Sequence, residues 1–561
     1  LCLRGVGQVG LRGTEPHRVI PALAMAEGAP LAHPEMFGAS YTRKPPGSLW
    51  AIATSLHLTD VRAHPEELEA AARRPAAVAT VLLVLACFLV CWRWYGPRPA
   101  LLAGLTQALT PVVWMAGRTA EIEPFNNAAT AIAVWLLADL VLPQPGRGVG
   151  KSALLGVLTG LAIAAVLLCK GPAGAPVLIG ALLVGWWLRR GKPSAVVPGL
   201  LLAAVLTAIA GLWLQQTLTH PPDAQIQSER AQLWSHLSHF LWDLGKLPQI
   251  LTLAPAALAL GLPGTLALLF LIGKDARHES GRYERGAALA RTLAFGCLLG
   301  LAIQMALGMH NPRYTLPTIA PLCPVVAWVA HRYLAGAMNS DRRRFGRALL
   351  VWIGLGSAFG AVVLSAVWLI QGRAASGLVM SSAIMFVALL SLLLNAQGRR
   401  REITRNVVLI AGPFMLWGVW LQTVELAADQ RSAKPWGATL AADLPGGGLV
   451  WANDVIEACP ELLLYAALAE PELRFEWRKD AIMAGELPQA GDYLLLREHE
   501  YRRRYLERGG APRLHPVGGY APPKHPAVLF EVLAEPLPAL PPDPFAELPT
   551  DQGSSRPRPG G

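Results

Sequence analysis

The chain has 561 residues, 53% of them hydrophobic and only 16% charged, and a mean hydropathy of +0.38. No single soluble core can hide so much apolar side chain, which excludes an ordinary globular enzyme and points to a protein that crosses a membrane many times. The net charge of +11 is then a matter of position along the chain rather than a nucleic-acid footprint, and the seven cysteines, scattered without ligand spacing, argue against a disulfide framework or a zinc site.

Residues 1–75 read as a first outer loop with helices lying beside the membrane. Leu1 sits in an apolar patch with no charged flank or cleavage signal, so a further transmembrane helix is expected ahead of it. Gly13-Thr14-Glu15-Pro16-His17-Arg18 reads as a helix start, with Thr14 as cap, Pro16 in the first turn, and Val19, Ile20, Leu23 and Ala26 on one apolar face. Arg43-Lys44-Pro45-Pro46-Gly47 opens a second helix in the same way. Helix N-termini attract anions, so Lys44 is a candidate phosphate seat and Glu15 a carboxylate able to take a proton. The competing reading is an interfacial loop whose Arg43 and Lys44 meet lipid head groups. Residues 55–75, with Asp60, Glu66, Glu67, Glu69 and Arg73, read as a surface helix closing the loop.

A bilayer needs ~20 apolar residues per helix. Twelve such segments follow, near 76–95, 99–116, 124–142, 152–169, 172–189, 196–217, 249–273, 288–308, 315–335, 347–370, 376–396 and 406–427, so the region 76–427 is a transmembrane domain of twelve helices, or thirteen with the expected preceding one. One set of connecting loops holds 21 Lys and Arg and the alternate set 6. The positive-inside rule therefore places the first loop and the C-terminus outside.

That orientation gathers several polar residues on one side. Gly117-Arg118-Thr119-Ala120-Glu121-Ile122-Glu123-Pro124, Cys169-Lys170-Gly171-Pro172 and Pro312-Arg313-Tyr314-Thr315 all fall in outer turns. Each cation alone reads most simply as a snorkelling anchor. Glu15, Glu121, Glu123, Lys44, Lys170 and Arg313 on one face together suggest a site, because ionisable groups at span ends are costly unless they face a cavity or a partner. The outer loop 218–249 carries an amphipathic pattern through Leu233, Trp234, Leu237, Phe240, Leu241 and Leu244, suited to the interface. Its His236, His239 and Asp243 fit a solvated helix face better than a metal site.

Residues 428–535 alternate strand-like and helical runs: 449–452, a helix 457–468, 473–477, 493–496, a basic helix 498–508, and 527–532. They form a small α/β domain outside the membrane, entered by a linker at Pro445-Gly446-Gly447-Gly448. Residues 536–561 are rich in proline and glycine and are expected to be disordered.

The order of motifs, Glu15 with His17 and Arg18, Arg43-Lys44-Pro45-Pro46, Ala120-Glu121-Ile122-Glu123-Pro124, Lys170-Gly171-Pro172 and Pro312-Arg313-Tyr314-Thr315-Leu316-Pro317, resembles the type C (GT-C) integral-membrane glycosyltransferases, in particular the lipid A aminoarabinose transferases and the protein O-mannosyltransferases. The resemblance runs through most of residues 10–335. It implies an all-α multi-span protein with an α/β domain on the periplasmic side of a bacterial inner membrane. It also implies inverting transfer of a sugar from a polyprenyl-phosphate donor to a lipid, glycan or protein acceptor, with no cofactor or metal. On the same resemblance Glu15 and Glu123 are the catalytic carboxylates, and Lys44, Lys170, Arg313, Tyr314 and Arg43 surround the donor phosphate, with His17, Arg18 and Glu121 as secondary candidates. The sequence departs from the family where an Asp-Glu pair is replaced by Thr14-Glu15 and the following arginine by His17, or by Arg18 after a one-residue slip. The main competing function is a transporter or flippase of a lipid-linked or anionic substrate, although the two halves show no internal repeat.

Overall fold

The computed structural model describes residues 9–41, 44–144, 146–189, 196–219, 252–260, 264–271, 282–307, 312–334, 432–444, 446–507, 513–522 and 525–537, together with Gly7 and residues 543–546 and 548. The chain divides into two compact units. One holds Leu1–Arg4, Lys44–Ser48 and Ala76–Val424, the other Gly5–Arg43, Leu49–Pro75 and Glu425–Gly561.

The first unit is helical. Its described helices are the membrane part of α3 (Leu68–Tyr95), α4 (Pro97–Leu109), α5 (Pro111–Ala116), α6 (Glu123–Val141), α7 (Val149–Lys170), α8 (Ala175–Leu188) and α9 (Val197–Thr219), then Leu253–Leu260, Arg282–Ala306 and Cys323–Leu334. Five helices among the described residues are long and apolar enough to cross a membrane. The expected spans 347–370, 376–396 and 406–427 lie outside the described residues, as do the loop helix at 233–244 and its His236, His239 and Asp243.

Three apolar segments read as unbroken spans are interrupted. Segment 99–116 divides at Thr110, which is extended (ψ 114) because Pro111 follows it and disfavours the helical conformation. Segment 249–273 becomes Leu253–Leu260 and a 3₁₀ turn Gly264–Phe270. Segment 315–335 is cut into Leu316–Ile319, Ala320–Leu322 and Cys323–Leu334, with prolines at 317, 321 and 324 each removing a backbone donor. The Pro321 carbonyl is instead taken by the indole N–H of the fully buried Trp135, at 3.2 Å.

Small residues let these helices approach closely, as membrane packing requires where no hydrophobic force acts between them. A Cβ at Gly180 in α8 would lie 2.1 Å from the Gly296 carbonyl of the helix Arg282–Ala306, and one at Gly156 in α7 would lie 2.2 Å from the Gly199 carbonyl of α9. At the end of α6 away from Glu123, Asp139 is buried between Arg93 Nε at 3.0 Å and Arg147 Nη2 at 3.1 Å.

The second unit joins stretches that the sequence suggests are separate. Residues 7–41 and 49–75 cluster with the C-terminal α/β domain rather than forming a free-standing loop. The bonds responsible span hundreds of residues: Leu11 N–H donates to the Tyr465 hydroxyl at 2.7 Å, and Lys434 Nζ reaches Glu69 at 2.9 Å. The short antiparallel ribbon β1 (Glu35–Met36) and β2 (Ala39–Ser40) places the Phe37 carbonyl 3.1 Å from the Trp477 N–H, on the edge of the sheet.

That sheet has the order β4-β3-β5-β7-β6, with β3 (Gly448–Ala452) parallel to β4 (Leu473–Trp477) and β5 (Tyr493–Arg497), and β7 (Ala527–Val532) antiparallel to β5 and β6 (Leu514–Tyr520). Strand β6 is missed by the sequence reading because Pro516, Gly518 and Gly519 interrupt its pattern; it is an edge strand with an irregularity between Pro516 and Gly518, where such residues are tolerated. The expected helix 457–468 is two helices, Asp454–Ala458 and Pro460–Ala469, because Cys459 precedes a proline and leaves the helical region.

Two further expectations are corrected. Residues 55–75 are not one helix: α2 (Gly47–Thr59) ends at Asp60, whose φ is +50, and α3 starts at Leu68 and runs through Pro75 into the membrane segment. Pro75 cannot donate to the Ala71 carbonyl, and the Ser55 hydroxyl does so instead at 2.7 Å. The tail is not disordered from residue 536 onward either: Phe545 is buried against Tyr501 and Phe530, and Asp543 pairs with Arg502 at 2.5 Å.

Candidate functional site

Glu123 is the first residue of α6, where a carboxylate is favoured by the exposed backbone N–H groups of the helix start. Lys170 is the last residue of α7, where a cation is favoured by the exposed carbonyls, and Gly171 behind it takes φ +63 to turn the chain away. Lys170 Nζ donates to Glu123 Oε1 at 2.9 Å, and the side chains of the pair are 5% and 11% exposed. The same ammonium lies 5.0 Å from the centre of the Tyr314 ring. Such an arrangement is an oriented cation beside an aromatic wall, with the second carboxylate oxygen, Glu123 Oε2, buried and without a hydrogen-bond partner.

Tyr314 and Arg313 belong to the 3₁₀ turn Pro312–Thr315, and the Arg313 guanidinium is near enough for its charge to act on Glu123. That turn is held by Gln304 from the helix Arg282–Ala306, whose amide donates to the Tyr314 carbonyl at 3.1 Å while its oxygen accepts from the Thr318 hydroxyl at 3.4 Å. Gln304 is fully buried and was not singled out by the sequence; the available signal was a lone amide inside an apolar span.

Lys44 is half-buried in the turn leading into α2. Three residues on, Gly47 meets α7 so closely that a Cβ there would lie 2.7 Å from the Leu168 carbonyl, which brings the Lys44 turn to the end of α7 that carries Lys170. Glu121 is half-buried in the bend before α6. Arg43 lies outside the described residues.

Glu15, His17 and Arg18 belong to the second unit. Glu15, not Thr14, precedes α1 (Pro16–Ala26). Its carboxylate is gripped by the fork of Arg73, Nε to Oε1 and Nη2 to Oε2, both at 2.7 Å, and the Arg12 N–H adds a bond to Oε2 at 3.0 Å. Arg73 also donates to the Val9 and Gly10 carbonyls at 2.6 and 2.9 Å, so this pair ties the first described residues to α3. Arg18 is buried and bonded to the Tyr41 hydroxyl and the His17 carbonyl, the latter being the group that Pro21 leaves without a helical donor. Neighbouring Glu461 is half-buried at the start of Pro460–Ala469; burial, with the charge of Glu15 close by, pushes its carboxyl up to about 7.

Residues 43–213, which contain Lys44, Glu121, Glu123 and Lys170, match the dolichyl-phosphate-mannose-protein mannosyltransferase family model. The chain is 26% identical over 347 residues to the undecaprenyl phosphate-alpha-4-amino-4-deoxy-L-arabinose arabinosyl transferase of Edwardsiella ictaluri (strain 93-146), a match covering 61% of this chain and 58% of that enzyme. Among solved structures, ArnT from Cupriavidus metallidurans in the apo state has a TM-score of 0.61 at 16% identity, covering 93% of this chain and 94% of that one. ArnT bound to undecaprenyl phosphate has a TM-score of 0.61 at 15% identity, covering 95% and 96%. The fold is therefore that of ArnT, and the chain is a multi-pass membrane protein. In sequence it is similar to the aminoarabinose transferases.

Proposed function

We propose that the protein is a membrane glycosyltransferase that moves a sugar from a polyprenyl-phosphate donor to an acceptor hydroxyl or phosphate at the periplasmic face of a bacterial inner membrane. The observation that carries this reading is the buried Glu123–Lys170 pair against Tyr314, in a fold that in ArnT has been solved with undecaprenyl phosphate.

In this reading the bond between the anomeric carbon and the donor phosphate breaks as the acceptor oxygen attacks from the opposite side of the ring, and the phosphate leaves with its electron pair. Lys170, Arg313 and Lys44 receive the charge that develops on it; a preorganised donor in a dry site lowers such a barrier by about 3–4 kcal/mol. Glu123 orients Lys170 through Oε1, and its Oε2 takes the proton from an acceptor hydroxyl. Glu15, with both oxygens held by Arg73, serves as the anchor of the first loop rather than as the base. No step calls for a metal.

Purified protein in sealed proteoliposomes, given radiolabelled undecaprenyl-phosphate sugar and a lipid extract, tests the assignment. Label is expected to move to the acceptor in the wild type and not in Lys170→Ala. Label that crosses the bilayer unmodified would instead identify a flippase.

A further inference from the structure

Beyond Glu123, α6 carries Asn126, Asn127 and Thr130, spaced i+3, i+4 and i+7 from the carboxylate and so on one face of the helix. All three are buried, Asn126 and Thr130 completely. Both polar atoms of the Asn126 amide, the Asn127 Oδ1 and the Thr130 Oγ1 have no hydrogen-bond partner, and with Glu123 Oε2 they make five unpaired buried polar atoms on one stripe about 10 Å long. Elsewhere among the described helices such atoms stand alone or as one amide, as at Ser152 Oγ, Thr292 Oγ1 and Gln107, and the stripe on α6 differs in running over two turns.

The stripe faces the turn that carries Lys170. Lys170 reaches Glu123 at its head, and a Cβ on Gly174, four residues after Lys170, would lie 2.6 Å from the Thr130 hydroxyl near its foot. Apart from ordered water, only a ligand that both donates and accepts along its length could pair with two amides and a hydroxyl in a row, beside the carboxylate oxygen that takes the acceptor's proton. A sugar ring, with a hydroxyl on nearly every carbon, has that chemistry, and a prenyl chain or a phosphate does not. We infer that Asn126, Asn127 and Thr130 are specificity-determining residues that bind the hydroxyls of the donor sugar, while Lys170 holds its phosphate. This assignment rests on the transferase reading above.

The test separates the two. Full-length protein in nanodiscs is titrated with undecaprenyl phosphate alone and with three glycosylated lipids: undecaprenyl phosphate 4-amino-4-deoxy-L-arabinose, undecaprenyl phosphate glucose and dolichyl phosphate mannose. Wild type is expected to bind one glycosylated lipid at least tenfold more tightly than the bare phosphate. Asn126→Leu and Thr130→Val, near-isosteric and apolar, are expected to erase that difference, to leave bare undecaprenyl phosphate affinity within twofold, and to raise the melting temperature of the unliganded protein. Removing unpaired buried groups should stabilise. A lower melting temperature with sugar preference intact would make the stripe a packing device and overturn the inference. Equal binding of all four lipids by the wild type would overturn it too. Unchanged undecaprenyl phosphate binding in Lys170→Ala would instead sink the transferase reading, whatever the stripe does.

Discussion

Lys170 and Glu123 stand 47 residues apart in sequence and meet at 2.9 Å, one closing α7 and the other opening α6. The pair thus joins a favourable helix end to a favourable helix start, and each charge compensates the other where water is excluded.

Breaking a pair this buried by removing one partner is expected to cost about 3–5 kcal/mol, because the survivor remains an uncompensated charge. Lys170→Met or Glu123→Gln should therefore lower the melting temperature clearly, and the double substitution should recover most of the loss while restoring no transfer. Melting curves of the four proteins, beside their transfer rates, check this. Additive losses in the double variant would show that the two groups are not coupled.

Gln304 acts at one remove, by fixing the Tyr314 and Thr318 backbone turn. Gln304→Leu keeps the volume and removes both bonds. Because a misplaced reacting group costs up to about a hundredfold, a tenfold to hundredfold fall in kcat is expected, with bare undecaprenyl phosphate affinity nearly unchanged. Unaltered kcat would show that the turn holds itself.

How much of this was legible in the sequence depended on the length scale of the signal. Long apolar runs, the helix-start residues before α1 and α2, and most strands of the α/β domain carry local patterns, so they could be read directly. The interruptions at Thr110 and after Tyr314 were written in Pro111, Pro317 and Pro321, but a hydropathy window averages over them. Of the candidate site, the residue types were legible in separate turns, and Lys170 meets both Glu123 and Tyr314. Which carboxylate is held, and by what, was not legible: Arg73 lies 58 residues from Glu15 in a stretch that reads as surface. Gln304 and the stripe at Asn126 and Asn127 also required the fold, because a lone amide in a span looks the same whether paired or not.

Arg73 makes a fork with Glu15 and two further bonds to the Val9 and Gly10 carbonyls, and lysine cannot reproduce that geometry. Arg73→Lys is expected to destabilise by about 2–3 kcal/mol, in the range of a lost charged hydrogen bond. Glu15→Gln should weaken the same anchor. If Glu15 is an anchor, the transfer rates of both variants fall in step with their melting temperatures and the pH profile of the reaction keeps its shape. Loss of transfer in Glu15→Gln at wild-type stability would move the base from Glu123 to Glu15.

Glu461 gives the second unit a pH dependence whose sign can be worked out. Burial and the charge of Glu15 raise its carboxyl to about 7 in the folded protein, whereas an unfolded glutamate titrates near 4.3. Between those values the folded state holds a proton that the unfolded state has released, so stability falls as pH rises through this window. The neutral carboxyl's advantage is complete below about pH 4 and gone above about pH 7, a difference of about 4 kcal/mol. The wild-type protein is therefore expected to melt at a lower temperature at pH 8 than at pH 5.5. Glu461→Gln, which stays neutral, should flatten that part of the dependence and melt higher than wild type at pH 8. A Gln variant with the wild-type pH slope would mean that Glu461 titrates as an ordinary carboxylate and that the slope originates elsewhere.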